Sequence, residues 1–99
     1  MDEASGDWYE KIAQFLLGNI SESEFINAAD NHNDPKKRNG QRCEAYFYAA
    51  NKNLLKGDLE KAIVLLKRCI DTGYREFYEF KGAKIQLQVL NDENSSPAF

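Results

Sequence analysis

The side chains that could do chemistry in this chain are few and widely spaced. Cys43 and Cys69 lie far apart in the sequence, and neither has an adjacent histidine. The single histidine, His32, lies in a run of turn-forming residues without a nucleophile at a spacing typical of a catalytic motif. Two cysteines and one histidine also supply too few ligands for a zinc site. We therefore expect no catalytic residues, no metal and no cofactor, and we predict that the protein is not an enzyme.

The two cysteines occupy positions where small apolar residues are expected. A buried free cysteine packs as a small hydrophobe, which is the interpretation that we favour for Cys43 and Cys69. The alternative is a disulfide, because the start of one helix and the end of an antiparallel partner can lie close together. The lack of a secretion signal argues against that alternative.

The charged residues give two opposing indications about partners. Lys36, Lys37, Arg38 and Arg42 form a local basic patch that could dock an acidic partner or a phosphate. A solvated helix face is the commoner explanation for such a run. The chain as a whole carries a net charge of −3, which argues against a nucleic acid or an anionic membrane as the partner.

The distribution of apolar residues bears on location. No segment approaches the length needed to cross a bilayer, so we expect no membrane partner. Residues 1–7 are acidic and poor in apolar residues, which is not typical of a secretory signal. We expect the chain as written to be cytoplasmic, with a periplasmic location as the alternative if a signal segment was removed.

Helical periodicity and helix-terminating residues predict five helices and no strand. A stripe of Trp8, Ile12, Phe15 and Leu16 predicts a first helix over 7–17. A capping box formed by Ser21 and Glu24 begins a second helix, which continues to about residue 30. The remaining helices are predicted over 35–56, from 59 to Gly73, and over 75–90, with Gly40 as a place where the third helix could bend. Residues 1–6 are expected to be disordered and residues 91–99 to form a loose tail, around one domain over 7–90.

The stretch from Glu44 to Ile63 carries a recognisable pattern of large and small residues. Two helices are joined there by a Gly57-Asp58 turn, with small residues where the helices must approach each other. In this respect the chain resembles the tetratricopeptide repeat (TPR) family. Tyr46 matches the aromatic position of the family's motif, and Ala49 with Ala50 matches the pair that follows it. Ala62 and Leu66 match the later alanine and the large residue four positions after it. The departures are the small Ala49 in place of a leucine, Asn53 in place of the second aromatic, and Tyr74 in place of the closing proline.

The resemblance covers residues 8–90 and implies a TPR-like α-solenoid fragment. Gly18-Asn19-Ile20 matches Gly57-Asp58-Leu59, so the hairpin over 7–30 is interpreted as a degenerate repeat before the better-formed hairpin over 35–73. The helix over 75–90 is then the capping helix that covers the last repeat. Short bacterial members of the family, including a lipoprotein, are similar to this arrangement.

The resemblance also implies a function, which is that of a protein-interaction adaptor binding a peptide or helix of a partner in a concave groove. The residues expected to line that groove are Glu44, Phe47, Asn51, Leu54 and Leu55. The alternative, which we favour for Phe47 and Leu54, is that they pack against the first or the fifth helix. A clamp for a peptide's terminal carboxylate needs more repeats than this chain contains.

The predicted fifth helix is apolar on more than one side. A second apolar line is formed by Tyr74, Tyr78, Ile85 and Val89. This line could cover Val64 and Leu65 of the fourth helix, or it could be a self-association surface. In the second case the protein would be a structural module that forms homo-oligomers, such as a homodimer, without a separate peptide ligand.

Overall fold

Five α-helices make up the part of the chain that the structure, a computed structural model, describes, which is residues 3–75 and 77–95. No strand occurs among these residues, so the prediction of an all-α protein is confirmed. The helices are α1 (Glu3–Leu16), α2 (Glu22–Ala29), α3 (Pro35–Lys56), α4 (Leu59–Asp71) and α5 (Tyr78–Ser95).

The starts of α2, α3 and α4 follow from capping residues that the sequence displays. The Ser21 hydroxyl accepts a hydrogen bond from the backbone N–H of Glu24 at 3.1 Å. The Asp34 carboxylate accepts from Lys36 N–H at 2.9 Å, and the Asp58 carboxylate accepts from Lys61 N–H at 3.2 Å. Each bond satisfies an amide that has no partner inside its helix, which fixes where the helix begins.

Gly57 ends α3 because it adopts a left-handed conformation, with φ at 85°. Residues with a Cβ adopt this conformation at a cost, whereas glycine does so readily. The Gly57 N–H donates to the carbonyl of Leu54, and the chain turns directly into α4. The turn that joins the predicted repeat hairpin is therefore present.

The outer helices differ from their predicted bounds. The first helix begins at Glu3, four residues before the predicted start, and α3 continues through Gly40 without interruption. The fifth helix begins at Tyr78 and continues to Ser95, because residues 91–95 stay helical beyond the last core contact. The predictions for residues 1–2 and 96–99 lie outside the described residues.

The helices pack around α3. The flanking helices α1 and α5 both contact α3, while α2 packs on α1 and α3, and α4 packs on α3 and α5. Within the described residues the backbones of α2 and α4 do not contact each other. The molecule measures 54 × 28 × 16 Å, and its radius of gyration of 14.1 Å exceeds the value of about 13 Å for a compact domain of about 100 residues. It is therefore an elongated slab.

Small side chains form the contact between α3 and α4, as the sequence predicts. Ala50 and Ala62 are fully buried, as are Cys43 and Cys69. Both cysteines are free thiols, and their Sγ atoms are 3.4 Å apart. Small residues at this position let the two helix backbones approach closely.

One polar side chain is buried in the interior and joins three helices. Asn53 of α3 is 3% exposed, and its amide donates to Glu22 Oε1 of α2 and to the Ala49 carbonyl, both at 2.8 Å. Glu22 also pairs with Lys61 of α4 at 3.0 Å. Asn53 therefore forms a polar link between α2, α3 and α4.

Candidate functional site

A strip of α3 lies between α1 and α5 and is open to solvent in part. Its residues are Glu44, Tyr48, Asn51 and Leu55, which fall on one side of the helix because they are spaced by four, three and four positions. We call this strip the α3 face. It is the place where side chains of α1, α3 and α5 meet, so it is the candidate site.

Hydrogen bonds connect the α3 face to the helices on both sides. The Trp8 indole N–H of α1 donates to Glu44 Oε1 at 2.9 Å. On the other side, the Tyr48 hydroxyl donates to Glu79 Oε2 of α5 at 3.3 Å. These bonds hold the walls of the face at fixed positions relative to its floor.

Two of the predicted groove residues face α5. The Phe47 ring lies so close to Gly82 of α5 that a Cβ at position 82 would be 3.0 Å from Phe47 Cε1. Asn51 Oδ1 accepts from the Gln86 amide at 2.7 Å, and the Asn51 amide donates to the Phe47 carbonyl at 2.9 Å. These contacts agree with the interpretation that Phe47 packs against the fifth helix. The side-chain amide of Asn51 is engaged in hydrogen bonds to other residues of the chain.

The other predicted groove residues lie in different surroundings. Glu44 is half-buried beneath Trp8, and Leu54 is half-buried. Leu55 is 90% exposed and forms the end of the α3 face. The structure therefore places Glu44, Asn51 and Leu55 in one row of α3, while the Phe47 ring packs on α5 at Gly82.

Tyr48 is a residue of the face that the sequence analysis missed. It is half-buried, between Glu44 and Leu55 in the same row. Its spacing of four residues from Glu44 and seven from Leu55 is the signal that could have identified it.

A cleft with aromatic walls opens at the amino-terminal end of the α3 face. It has a volume of about 220 Å³. Its lining residues come from α1, α3 and the α4–α5 connection, and they are Trp8, Tyr9, Lys37, Gly40, Gln41, Glu44, Tyr74 and Phe77. We call it the aromatic cleft.

Gly40 makes the aromatic cleft possible. A Cβ at position 40 would lie 3.0 Å from Phe77 Cζ and 3.5 Å from Tyr74 Cζ. The Tyr74 and Phe77 rings are themselves packed edge to face, with centroids 4.2 Å apart. The glycine thus lets this ring pair lie directly on α3, where it forms one wall of the cleft.

The carboxyl group of Glu44 lies in an environment that disfavours its charge. Burial raises the pKa of Glu44 to about 7, and the negative charge of Glu79 acts in the same direction. The hydrogen bond from Trp8 opposes these effects without cancelling them. Burial, together with the charge and hydrogen bond of Glu79, also raises the pKa of Tyr48.

The carboxyl groups of Glu44 and Glu79 lie close enough to influence each other at this part of the α3 face. Glu44 accepts a hydrogen bond from Trp8 and Glu79 accepts one from Tyr48. This part of the α3 face is therefore rich in hydrogen-bond acceptors.

The predicted basic patch is divided among local contacts. Arg42 pairs with Asp30 at 3.4 Å, and Arg38 donates to the His32 carbonyl at 3.1 Å. Lys36 and Lys37 are exposed, and Lys37 lies at the aromatic cleft. His32 lines a neighbouring cavity of about 210 Å³, and its Nδ1 accepts from the Asp34 N–H.

The predicted self-association line separates into two parts. Tyr78, Ile85 and Val89 of α5 are exposed, with Tyr78 at 87%. Tyr74 is half-buried and belongs to the aromatic cleft. On α4, Leu65 is buried whereas Val64 remains half exposed. An exposed apolar row on α5 thus consists of Tyr78, Ile85 and Val89.

The described part of the chain contains no group of three or more histidine, cysteine, aspartate or glutamate side chains placed to hold a metal ion. None of the helices in that part is both long enough and apolar enough to span a membrane.

Comparison with known proteins identifies no relative. No model of a protein family, no curated protein and no solved structure matches the chain.

Proposed function

We propose that the protein is a TPR-like interaction adaptor that binds a segment of a partner polypeptide on the α3 face. The observation that carries the proposal is the composition of that face, where the half-buried Tyr48 lies in one row with the exposed Leu55 and near the exposed Tyr9 of α1. Tyrosine and exposed leucine side chains supply apolar contact area, and the tyrosine hydroxyls supply hydrogen bonds.

The arrangement of the helices supports the same proposal. In the TPR family, which the sequence resembles, the first helices of successive repeats lie side by side along the concave surface. Here α1 and α5 both contact α3. Since only α3 contacts both of these helices, the partner segment would contact mainly α3 and bury a small area.

Selection of short random peptides on the purified protein tests the proposal. The affinities of the selected peptides are compared for the wild type, Leu55→Asp and the control Val64→Asp. The control changes an exposed valine of α4, outside the α3 face. We expect Leu55→Asp to weaken binding by about tenfold or more, since a desolvated charge replaces an apolar contact. Equal loss in both variants, or loss only in Val64→Asp, would contradict the α3 face as the site.

A second candidate function is self-association through α5. The observation that favours it is the exposed row of Tyr78, Ile85 and Val89, which has the helical spacing of a contact surface. Gly82 lies in the same row and contacts Phe47, so the row adjoins the side of α3 that faces α5. A second copy of the chain would cover this row.

A further inference from the structure

We propose that the aromatic cleft binds the cationic side chain of an arginine or lysine presented by the partner polypeptide. The inference rests on the proposed function, because it specifies the chemistry of the partner that the α3 face recognises. The cleft lies at one end of that face and shares Glu44 with it.

The charge of the cleft favours a cation. Glu44 lines the cleft, and Glu79 lies close enough for its negative charge to raise the pKa of Glu44. A guanidinium or ammonium group in the cleft would donate hydrogen bonds to the Glu44 carboxylate and stabilise its charge. An anionic ligand would be repelled by the same groups.

The lining of the cleft is aromatic. The rings of Tyr9, Tyr74 and Phe77 line it together with Trp8, which is 4% exposed. A cation over an aromatic face gains roughly 0.5–2 kcal/mol, more when it is desolvated. The same rings can pack against the aliphatic stem of a lysine or arginine. An aromatic cleft that contains a carboxylate therefore favours a cation with an apolar stem.

The size of the cleft limits what can occupy it. The volume of about 220 Å³ lies below the range of roughly 300–1,000 Å³ that is typical of pockets for small-molecule ligands. A single long side chain is the occupant that fits such a volume. The rest of the partner segment would continue along the α3 face toward Leu55.

The charged and titratable groups around Glu44 define how binding depends on pH. They come from α1, from α3, from the α4–α5 connection and from α5, and they are Tyr9, Lys37, Tyr48, Tyr74 and Glu79. A bound cation stabilises the ionised form of Glu44, so binding near neutral pH is accompanied by release of a proton.

Trp8 provides a specific reporter for the test. It is the only tryptophan of the chain, and its indole N–H donates to Glu44 inside the cleft. Nuclear magnetic resonance can follow this one indole proton while a probe is added. The probes are Nα-acetyl-arginine methylamide and the uncharged analogue Nα-acetyl-citrulline methylamide, with the lysine and norleucine methylamides as a second pair.

We expect the arginine and lysine probes to shift the Trp8 indole resonance in a saturable manner, with dissociation constants in the millimolar range, and the uncharged analogues not to do so. Glu44→Gln keeps an acceptor for the indole and removes the charge, so it should weaken cation binding about fivefold or more. Glu79→Gln should weaken it less. The matched control is Glu60→Gln, on an exposed position of α4, which should leave binding unchanged.

The inference is overturned if charged and uncharged probes act alike, if no probe gives a saturable shift, or if Glu44→Gln binds the cations as well as the wild type does. These outcomes are separate from failure of the proposed function. If peptides bind in a Leu55-dependent manner but the cationic probes do not bind, the α3 face remains the proposed partner site and the cation site is eliminated. If the cationic probes bind but no peptide binds, the cation site remains and the α3 face is eliminated as a peptide site.

Discussion

Glu44 is the residue on which most of the chemistry of this protein depends. It accepts a hydrogen bond from Trp8, and its half-buried carboxyl group lies near Glu79 and Tyr48. A carboxyl group that titrates close to neutral pH can respond to a neighbouring charge by losing its proton. If the aromatic cleft binds a cation as we propose, the charge state of Glu44 links that binding to the stability of the fold.

The raised pKa of Glu44 predicts how stability depends on pH. Since the pKa rises from its ordinary 4.5 to about 7 in the folded protein, the unfolded chain loses this proton first as the pH increases. The contribution of Glu44 to folding stability is therefore lost between about pH 4.5 and pH 7. Glu44→Gln removes this dependence and should stabilise the protein relative to the wild type above neutral pH.

Urea unfolding at about pH 5 and about pH 8 measures this effect. The free energy of unfolding should fall less between the two pH values in Glu44→Gln than in the wild type. Glu60→Gln, with an exposed carboxylate, should follow the wild type. Parallel profiles for Glu44→Gln and the wild type would show that Glu44 has no unusual pKa.

Single residues also show where sequence reasoning reached its limit. The helical position of Asn51 can be predicted from spacing, and so can its place on the same side of α3 as Glu44. Its pairing with Gln86 cannot, because the two residues are 35 positions apart and meet only once α5 is placed on α3. The same holds for the contact of Phe47 with Gly82 of α5.

At the scale of helices, the ends with local signals were predictable. The Asp34, Ser21 and Asp58 caps are written in the sequence and are formed in the structure. The start of α5 was not, since Tyr74 and Phe77 continue an apolar helical pattern. They instead form a turn whose rings pack on Gly40, a contact with a residue that is distant in the sequence. The end of α5 was missed because loss of apolar periodicity marks the end of core contact, which is not always the end of the helix.

The turn between α3 and α4 gives a prediction at this scale. Gly57 has φ at 85° and nothing within 4 Å of where a Cβ would stand, so Gly57→Ala introduces backbone strain without a clash. We expect it to lower the free energy of unfolding by about 1–2 kcal/mol. Gly57→Asn should cost less, since asparagine adopts the left-handed conformation more readily. Urea unfolding measures both variants, and an alanine variant as stable as the wild type would contradict the account of this turn.

The whole molecule is an elongated slab with two surfaces that we propose as contact sites for another chain. The α3 face lies between α1 and α5, and the apolar row of Tyr78, Ile85 and Val89 lies on α5. Both surfaces were predicted from the sequence, but the residues assigned to each surface differ from those that the structure places there. Tyr74 belongs with the aromatic cleft, and Tyr48 belongs with the α3 face.

The self-association candidate makes a prediction for the whole molecule. It predicts a dimer that Tyr78→Glu combined with Val89→Glu converts to a monomer of unchanged helicity, because each charge would be buried in the interface. Leu17→Glu, at an exposed position after α1, is the control and should leave the dimer intact. Light scattering after size-exclusion chromatography measures the mass, and a monomer at all concentrations would eliminate this candidate.

We propose above all that the α3 face receives a partner polypeptide. Nuclear magnetic resonance of the labelled protein tests this by mapping which backbone amide resonances shift when a selected peptide is added. We expect the shifted amides to cluster around Tyr9, Glu44, Tyr48 and Leu55, and the amides around Val64 of α4 to stay unchanged. Shifts that cluster on α4, or on α5 around Tyr78 and Val89 alone, would contradict it.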